Sequence, residues 1–288
     1  MPSQRQLKSR IRSVKNTKQI TKAMQMVAAS KMRRAQEATK ATAPYTQTAR
    51  EILAHLAKQG ATENHPLFEV REVKKRLLIT IASDKGLAGA YNSNITKQHI
   101  RELMADKKAG IQTKSIAIGR RVTQFVTRLK DHELAGVYED LPDSLEGTEL
   151  RGALDVAYKM FLEGEVDAVD VVYTEFISSI TQKPKVERLL PAGASLEFDT
   201  EHLTEATFEP DAETVLESVV YRLVGAQLFQ AQLDARASEH SMRMLAMKNA
   251  TDNASDLIDD LTLAMNKARQ AAITQELAEI SGGAEAMK

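Results

Sequence analysis

Two stretches almost free of helix breakers bound the chain and limit what it can fold into. No glycine occurs before Gly60, and Pro44 is the only proline between Ser3 and Lys58. After Pro210 no further proline occurs, and Gly225 is the only glycine ahead of the pair Gly282-Gly283. At 1.5 Å per residue these stretches predict terminal helices of roughly 80 Å and 105 Å, longer than a globular domain requires. Ser3 and Gln6 have capping-box spacing at the start of the first helix, and Pro44 is expected to kink or restart it. Pro210 suits the first turn of the second helix, where Asp211 and Glu213 complement its dipole, and Gly282-Gly283 reads as its stop.

Apolar residues recur at three- to four-residue intervals along both helices. In the first they are Leu7, Ile11, Val14, Ile20, Met24, Val27 and Met32. In the second, Leu216, Val220, Val224 and Leu228 form one stripe, and Leu257, Leu261, Met265 and Ala268 another. Neither series keeps a strict heptad, which predicts a loose two-helix coil and not a regular zipper. The methionines Met24, Met26, Met32, Met242, Met244 and Met247 suit adaptable packing between helices, or against a partner.

The middle of the chain has another texture. "RLLITIA" (Arg76–Ala82), "SIAIG" (Ser115–Gly119), "DAVDVVYTEFIS" (Asp167–Ser178) and "KVERLL" (Lys185–Leu190) read as strands, the last two as a hairpin. Helical stretches alternate with them at Asn94–Lys108, Arg120–Lys130 and Thr148–Glu163. The expected fold is an α/β domain inserted between two long terminal helices. Residues 1–60 form the first helix, 74–195 a Rossmann-like domain with a mostly parallel sheet, and 209–282 the second helix.

Composition narrows the chemistry. Hydrophobic content of 43% with 27% charge excludes global disorder. The absence of cysteine excludes disulfides, thiolate nucleophiles and Cys-based zinc sites. No apolar run approaches the roughly 20 residues that span a bilayer, and the opening "MPSQRQLKSRIRSVKN" lacks a signal-peptide core. Net charge is zero but segregated: from Arg5 to Arg34 no acid interrupts the Lys and Arg, whereas Asp199–Glu217 holds seven acids and no Lys or Arg. Such segregation points to a charged partner surface.

No catalytic constellation emerges. The loop "SDKGLAGAYNSN" (Ser83–Asn94) sits where a strand passes into a helix, but Gly86 and Gly89 satisfy neither the phosphate-loop nor the dinucleotide pattern, so it reads as a tight turn. His55, His65, His99, His132, His202 and His240 lack metal-ligand spacing and read as surface residues. Asp252, Asp256, Asp259 and Asp260 read as a solvated or partner-facing helix edge. No catalytic residue, metal site or cofactor is expected. The basic stretch could bind nucleic acid by counterion release, but it lacks aromatic interleaving and the net charge is zero. A nucleotide-binding enzyme with helical arms and a nucleic-acid scaffold stay open as alternatives.

The tail "NKARQAAITQEL", from Asn266, reads as a strong helix with few large apolar residues, Ile273 and Leu277 among alanines. Chain ends usually fray unless tied down, so its packing partner is expected to be another protein.

Four segments carry a family resemblance: "RIRSVKNTKQITKAMQMVAASKMRRAQ" (Arg10–Gln36), the Gly loop, "FLEGEVDAVDVVYTEF" (Phe161–Phe176) and the stretch from Ala237 to Ala286. Together they resemble the gamma subunit of bacterial F-type ATP synthase over essentially the whole chain. One departure is that Ala88 and Ala90 stand where the family loop commonly has Cys and its last Gly, which would restrict one backbone position. The resemblance implies a central rotor shaft, one copy per complex, with the terminal helices paired as an antiparallel coiled coil. It implies no catalytic site of the chain's own, no cofactor and no nucleic acid. Its partners would be the alpha and beta subunits of a hexamer, the epsilon subunit and the membrane ring of c subunits, at the cytoplasmic face of the bacterial inner membrane. By matched position, Met24, Arg243, Arg269, Gln270 and Thr274 would meet beta. Lys8, Arg10, Arg12, Arg33 and Arg34 would form a basic face toward an acidic segment of beta, and Phe208 and Glu209 would lie near the membrane ring.

Overall fold

The computed structural model describes residues 4–58, 62, 65–130, 132–142, 147–192 and 212–286. They fall into two compact units, Ser30–Met242 and the pair Met1–Ala29 with Arg243–Lys288. Ser3, the proposed cap, lies outside the described residues, as do Pro210 and the rest of residues 199–211 of the acidic segment.

The unit Ser30–Met242 holds one five-stranded sheet. Its strands β1 (Lys75–Ile81), β2 (Gln112–Ile118), β3 (Glu133–Tyr138), β4 (Ala168–Phe176) and β5 (Gln182–Leu190) lie in the order β3-β2-β1-β4-β5. All neighbours run parallel except β4 and β5, which form the antiparallel hairpin. The central strands are buried on both faces, which is why β1 and β4 read as continuous apolar runs and not as alternating ones. Pro184 is tolerated because β5 is an edge strand and needs hydrogen bonds on one side only. The sequence reading missed β3, a short edge strand interrupted by Gly136.

Helices cover both faces of the sheet. Leu77, Ile79 and Ile81 of β1 enter a core with Ala49 and Leu56 of α1 (Gln4–Lys58). Leu154 and Phe161 of α4 (Arg151–Leu162) and Leu216 through Ala235 of α5 (Ala212–Ala286) complete it. On the opposite face Ile95 of α2 (Tyr91–Ala109) and Val122 of α3 (Arg120–Val126) pack on Ala117. Each fully buried Leu or Ile here is worth about 1.5–3 kcal/mol relative to exposure. α1 runs unbroken through Pro44, which is exposed, so the proline does not restart the helix.

One buried ionic cluster ties this face together. Arg76 of β1 bonds Asp170 of β4, Asp106 of α2 at 2.9 Å and Glu102 at 3.0 Å. Asp170 also bonds Arg188 of β5, and Asp106 accepts from Thr113 at 2.8 Å. Burial opposes the Arg76 charge, but Asp170 and then Asp106 outweigh it and raise its pKa above the ordinary value.

The second unit contains α1 through Ala29 and α5 from Arg243. Here the buried and half-buried positions of α1 are Leu7, Ile11, Val14, Lys18, Thr21, Gln25 and Ala28, with Met24 and Ala29 beside them. That spacing of four and three residues is a heptad seam. On α5 the series Met244, Met247, Thr251, Ala254, Ile258, Leu261, Met265 and Ala268 has the same period. The helices are thus in stricter heptad register than the sequence suggested, because polar Lys18, Thr21 and Gln25 occupy seam positions. Two residues of the expected stripe, Ile20 (60% exposed) and Val27 (56%), lie outside the seam, and Leu257 of α5 is also exposed.

Candidate interaction surface

The coil's register determines where it stops. The Thr251 hydroxyl lies 2.9 Å from Thr21 Oγ1 and 2.8 Å from Met247 O, while Thr21 donates to Lys18 O at 3.0 Å. In an antiparallel pair, moving 17 residues back from Thr21 to Gln4 moves 17 forward from Thr251 to Ala268. From Arg269 through Ser281 every α5 residue is exposed. The helix nevertheless continues to Ala286, passing through Gly282-Gly283, so that pair does not stop it. About 27 Å of α5 therefore extends past Ala268.

That extension carries Arg269, Gln270 and Thr274, all exposed, with Thr274 Oγ1 donating back to Gln270 O at 2.9 Å. Ile273, Leu277 and Ile280 are exposed on it at i, i+4 and i+7, one apolar face of a helix. A second exposed apolar row, Ile20, half-buried Met24 and Val27, has the same spacing on α1. The sequence pattern placed this row in the coil's interior. Continuing the spacing of Leu7, Ile11 and Val14 through the polar residues would have shown it on the outside.

Arg5, Lys8, Arg12, Lys15 and Lys22 are exposed and share one face of α1 by helical spacing. Arg10 is exposed too, but two residues along a helix turn its direction by about 200°, so it leaves that row. Arg33 and Arg34 are exposed in the other unit, and Arg243 is half-buried. Phe208 and Glu209 lie outside the described residues.

The Gly loop is held from within. Ser83 Oγ donates to Lys85 O at 2.6 Å, and Ser83 N donates to Asn92 Oδ1 at 3.2 Å. Asp84 Oδ1 accepts from Arg120 N at 3.0 Å and Asp140 N at 3.2 Å. The chain's own carboxylate thus takes the amide that opens α3. Leu87 has φ 61° and Gly89 φ 56°, while Ala90 at φ −84° occupies a conformation open to any residue. The Ala at position 90 therefore imposes no backbone restriction, and Ala88 is simply buried.

Four histidines depart from the surface reading. His99 is fully buried, His240 is buried, and His65 and His132 are half-buried. His99 Nδ1 lies 2.9 Å from Thr80 Oγ1 on β1, and burial together with nearby His132 lowers its pKa to about 4. His132 Nε2 lies 2.8 Å from Ser115 Oγ. His55 and His202 are not among the residues whose side chains are described. The four aspartates Asp252, Asp256, Asp259 and Asp260 are exposed on α5. Among the described residues no cluster of three His, Cys, Asp or Glu could hold a metal, and no helix is long and apolar enough to cross a membrane.

Fold and surface together define a class: an α/β domain inserted between two long helices that pair as an antiparallel coiled coil and present their outer faces. Known proteins make this specific. The family model described as ATP synthase matches residues 3–287. The ATP synthase gamma chain of Stenotrophomonas maltophilia (strain R551-3) is 42% identical over 288 residues, and that of Cupriavidus necator 43% over 292, each alignment covering 100% of both chains. A chain of the Euglena gracilis mitochondrial ATP synthase (OSCP/F1/c-ring, rotational state 3) shares the fold with TM-score 0.72 at 20% identity, over 99% of this chain and 94% of that one. A chain of the Tetrahymena thermophila mitochondrial ATP synthase central stalk/c-ring gives 0.61 at 24% identity, over 80% and 99%. The chain belongs to the ATP synthase gamma-chain family.

Proposed function

We propose that this chain is the central-stalk rotor of a bacterial ATP synthase, coupling proton flow through a membrane ring to ATP synthesis or hydrolysis in an alpha/beta hexamer. The observation that carries the reading is the α5 extension, a helix exposed on every side from Arg269 through Ser281. A lone helix is marginal in water, so its stability has to come from packing. A sleeve of surrounding subunits supplies that packing, and small residues such as Ala271 and Ala272 let the helix turn without interlocking.

In this reading the shaft acts as an asymmetric cam. Each orientation favours different conformations in otherwise equivalent beta subunits, and the coupling is reciprocal. Arg269, Gln270 and Thr274 on the extension, with Met24 and Arg243 lower on the coil, are the proposed contacts with beta. Lys8, Arg12 and their row, with Arg10, Arg33 and Arg34, face an acidic segment of beta. Phe208 and Glu209 face the ring of c subunits, and the epsilon subunit packs on the α/β domain. The chain is peripheral to the cytoplasmic face of the inner membrane, with one copy per complex. It has no catalytic site of its own and regulates ATPase activity and proton flow through its contacts.

Purified chain alone is expected to hydrolyse no ATP, and mixing it with alpha and beta subunits to yield a rapidly hydrolysing complex. ATP turnover by the isolated chain that is abolished by Asp84→Ala would contradict this reading.

A further inference from the structure

The unit Ser30–Met242 contains a cavity of about 570 Å³ between α1, α5 and the 3-10 turn, Thr148–Leu150, that leads into α4. This is the size of a site for one small ligand, and clefts between packed helices are a common place for such sites. Its floor is apolar: Leu150, Leu154 and Leu228 are buried and Phe229 is half-buried. Its rim is cationic, because Arg151 and Arg222 line it and are exposed. Neither guanidinium is ion-paired among the described residues. Among the described residues no carboxylate lines the cavity; Asp155 of α4 accepts from the Tyr221 hydroxyl at 2.5 Å. Gly225 keeps α5 close to α4 here, since a Cβ at that position would lie 3.1 Å from Leu154 Cδ2.

An apolar floor beneath two guanidinium groups selects an amphipathic anion. A neutral hydrocarbon would leave Arg222 unused and Arg151 with only its bond to Tyr221, and a small hydrophilic anion would leave the leucine floor uncovered. We propose that this cavity binds one fatty-acid-like carboxylate, its alkyl chain on Leu150, Leu154, Leu228 and Phe229 and its head group at Arg151 and Arg222. The site is separate from the proposed beta contacts and does not depend on the rotor reading.

The test uses the full-length chain and the fluorescent probe dansylaminoundecanoate. Titration should give a saturable, single-site fluorescence rise. Ala226→Trp places an indole in the cavity and should abolish the rise, whereas Arg222→Glu should weaken binding about tenfold. The alcohol analogue of the probe should bind about tenfold more weakly than the carboxylate. Arg222 is exposed, so R222E keeps the fold and carries the test even if A226W does not fold. The proposal is overturned if the wild-type chain shows no saturable binding, if folded A226W binds as well as wild type, or if R222E or the alcohol matches wild type with the carboxylate.

Discussion

The α/β unit and the two-helix coil solve the burial problem in opposite ways. In the first, sheet positions facing the helices are filled by Leu77, Ile79, Ile81, Val169 and Val171, all essentially inaccessible. In the second, the seam of α1 passes through Lys18, Thr21 and Gln25, and large apolar residues such as Ile20 and Val27 face outward. At about 25 cal/mol per Å² of apolar surface, the first arrangement stabilises itself. The second leaves that surface for something else to cover. One unit is built as a stable body, and the other keeps apolar surface exposed, which in the proposed rotor role the assembly would cover.

The contrast breaks first at the buried ionic cluster. Asp170→Ala removes the carboxylate shared by Arg76 and Arg188 and leaves both cations without it. Loss of one partner in such a buried group costs about 3–5 kcal/mol, readable by urea denaturation of the isolated chain. A loss below about 1 kcal/mol, the worth of a surface pair, would show that this unit is less self-sufficient than its core implies.

The same unit has two titrating groups that act in opposite directions. Asp234 on α5 has its pKa raised to about 6, first by burial and then by Glu175. An acid raised in the folded state binds extra protons there, so its contribution falls as pH rises from about 4 through 6 and stays unfavourable at neutral pH. Asp234→Asn should therefore raise stability at pH 7, on the order of 1–3 kcal/mol, and flatten that part of the pH profile. His99, lowered to about 4, works the other way: its contribution is complete above the unfolded value of 6.5 and is lost as pH falls toward 4. Unfolding free energy measured from pH 4 to 8 on wild type and D234N separates the two.

A smaller effect is expected in the coil. Thr21→Val alone removes the seam bond but leaves the Thr251 hydroxyl its bond to Met247 O, so it should cost below about 1 kcal/mol. Thr21→Val with Thr251→Val replaces both groups and should return close to wild type. Equal and additive losses, followed by thermal melting, would mean that the two hydroxyls are not coupled.

The contrast also explains what the sequence disclosed. β1 and β4 were legible because strands buried on both faces are continuous apolar runs. β3 was not, because a half-exposed edge strand holding Gly136 has no such run. The long helices were legible from missing breakers, but the seam was misread because apolar periodicity assumes that the apolar side faces inward. In α1 that assumption fails at Ile20 and Val27, where the apolar residues face outward. His99 was misread for a related reason: its partner Thr80 is distant in sequence, and only the sheet brings it within 2.9 Å. The exposed tail was legible from its own composition, since alanines among charged residues offer nothing to a local core.

A small effect on the isolated chain belongs to the basic row. Lys8→Gln with Arg12→Gln should change its stability by only about 0–1 kcal/mol, because both side chains are exposed. The same pair should weaken salt-dependent assembly with alpha and beta subunits more than either single change. An equal loss from one replacement would indicate a single specific contact in place of a shared field.

Removing residues 269–288 tests most directly whether the coil is completed by its partners. These residues follow the last seam position, Ala268, so the shortened chain should melt at the wild-type temperature on its own. Assembled with alpha and beta subunits in membranes, it should show a less stable complex and reduced ATP hydrolysis and ATP-driven proton pumping. Rotation would still occur, because the rest of the coil is held. A lowered melting temperature of the isolated chain, or unchanged assembly stability, hydrolysis and pumping in the complex, would contradict the account.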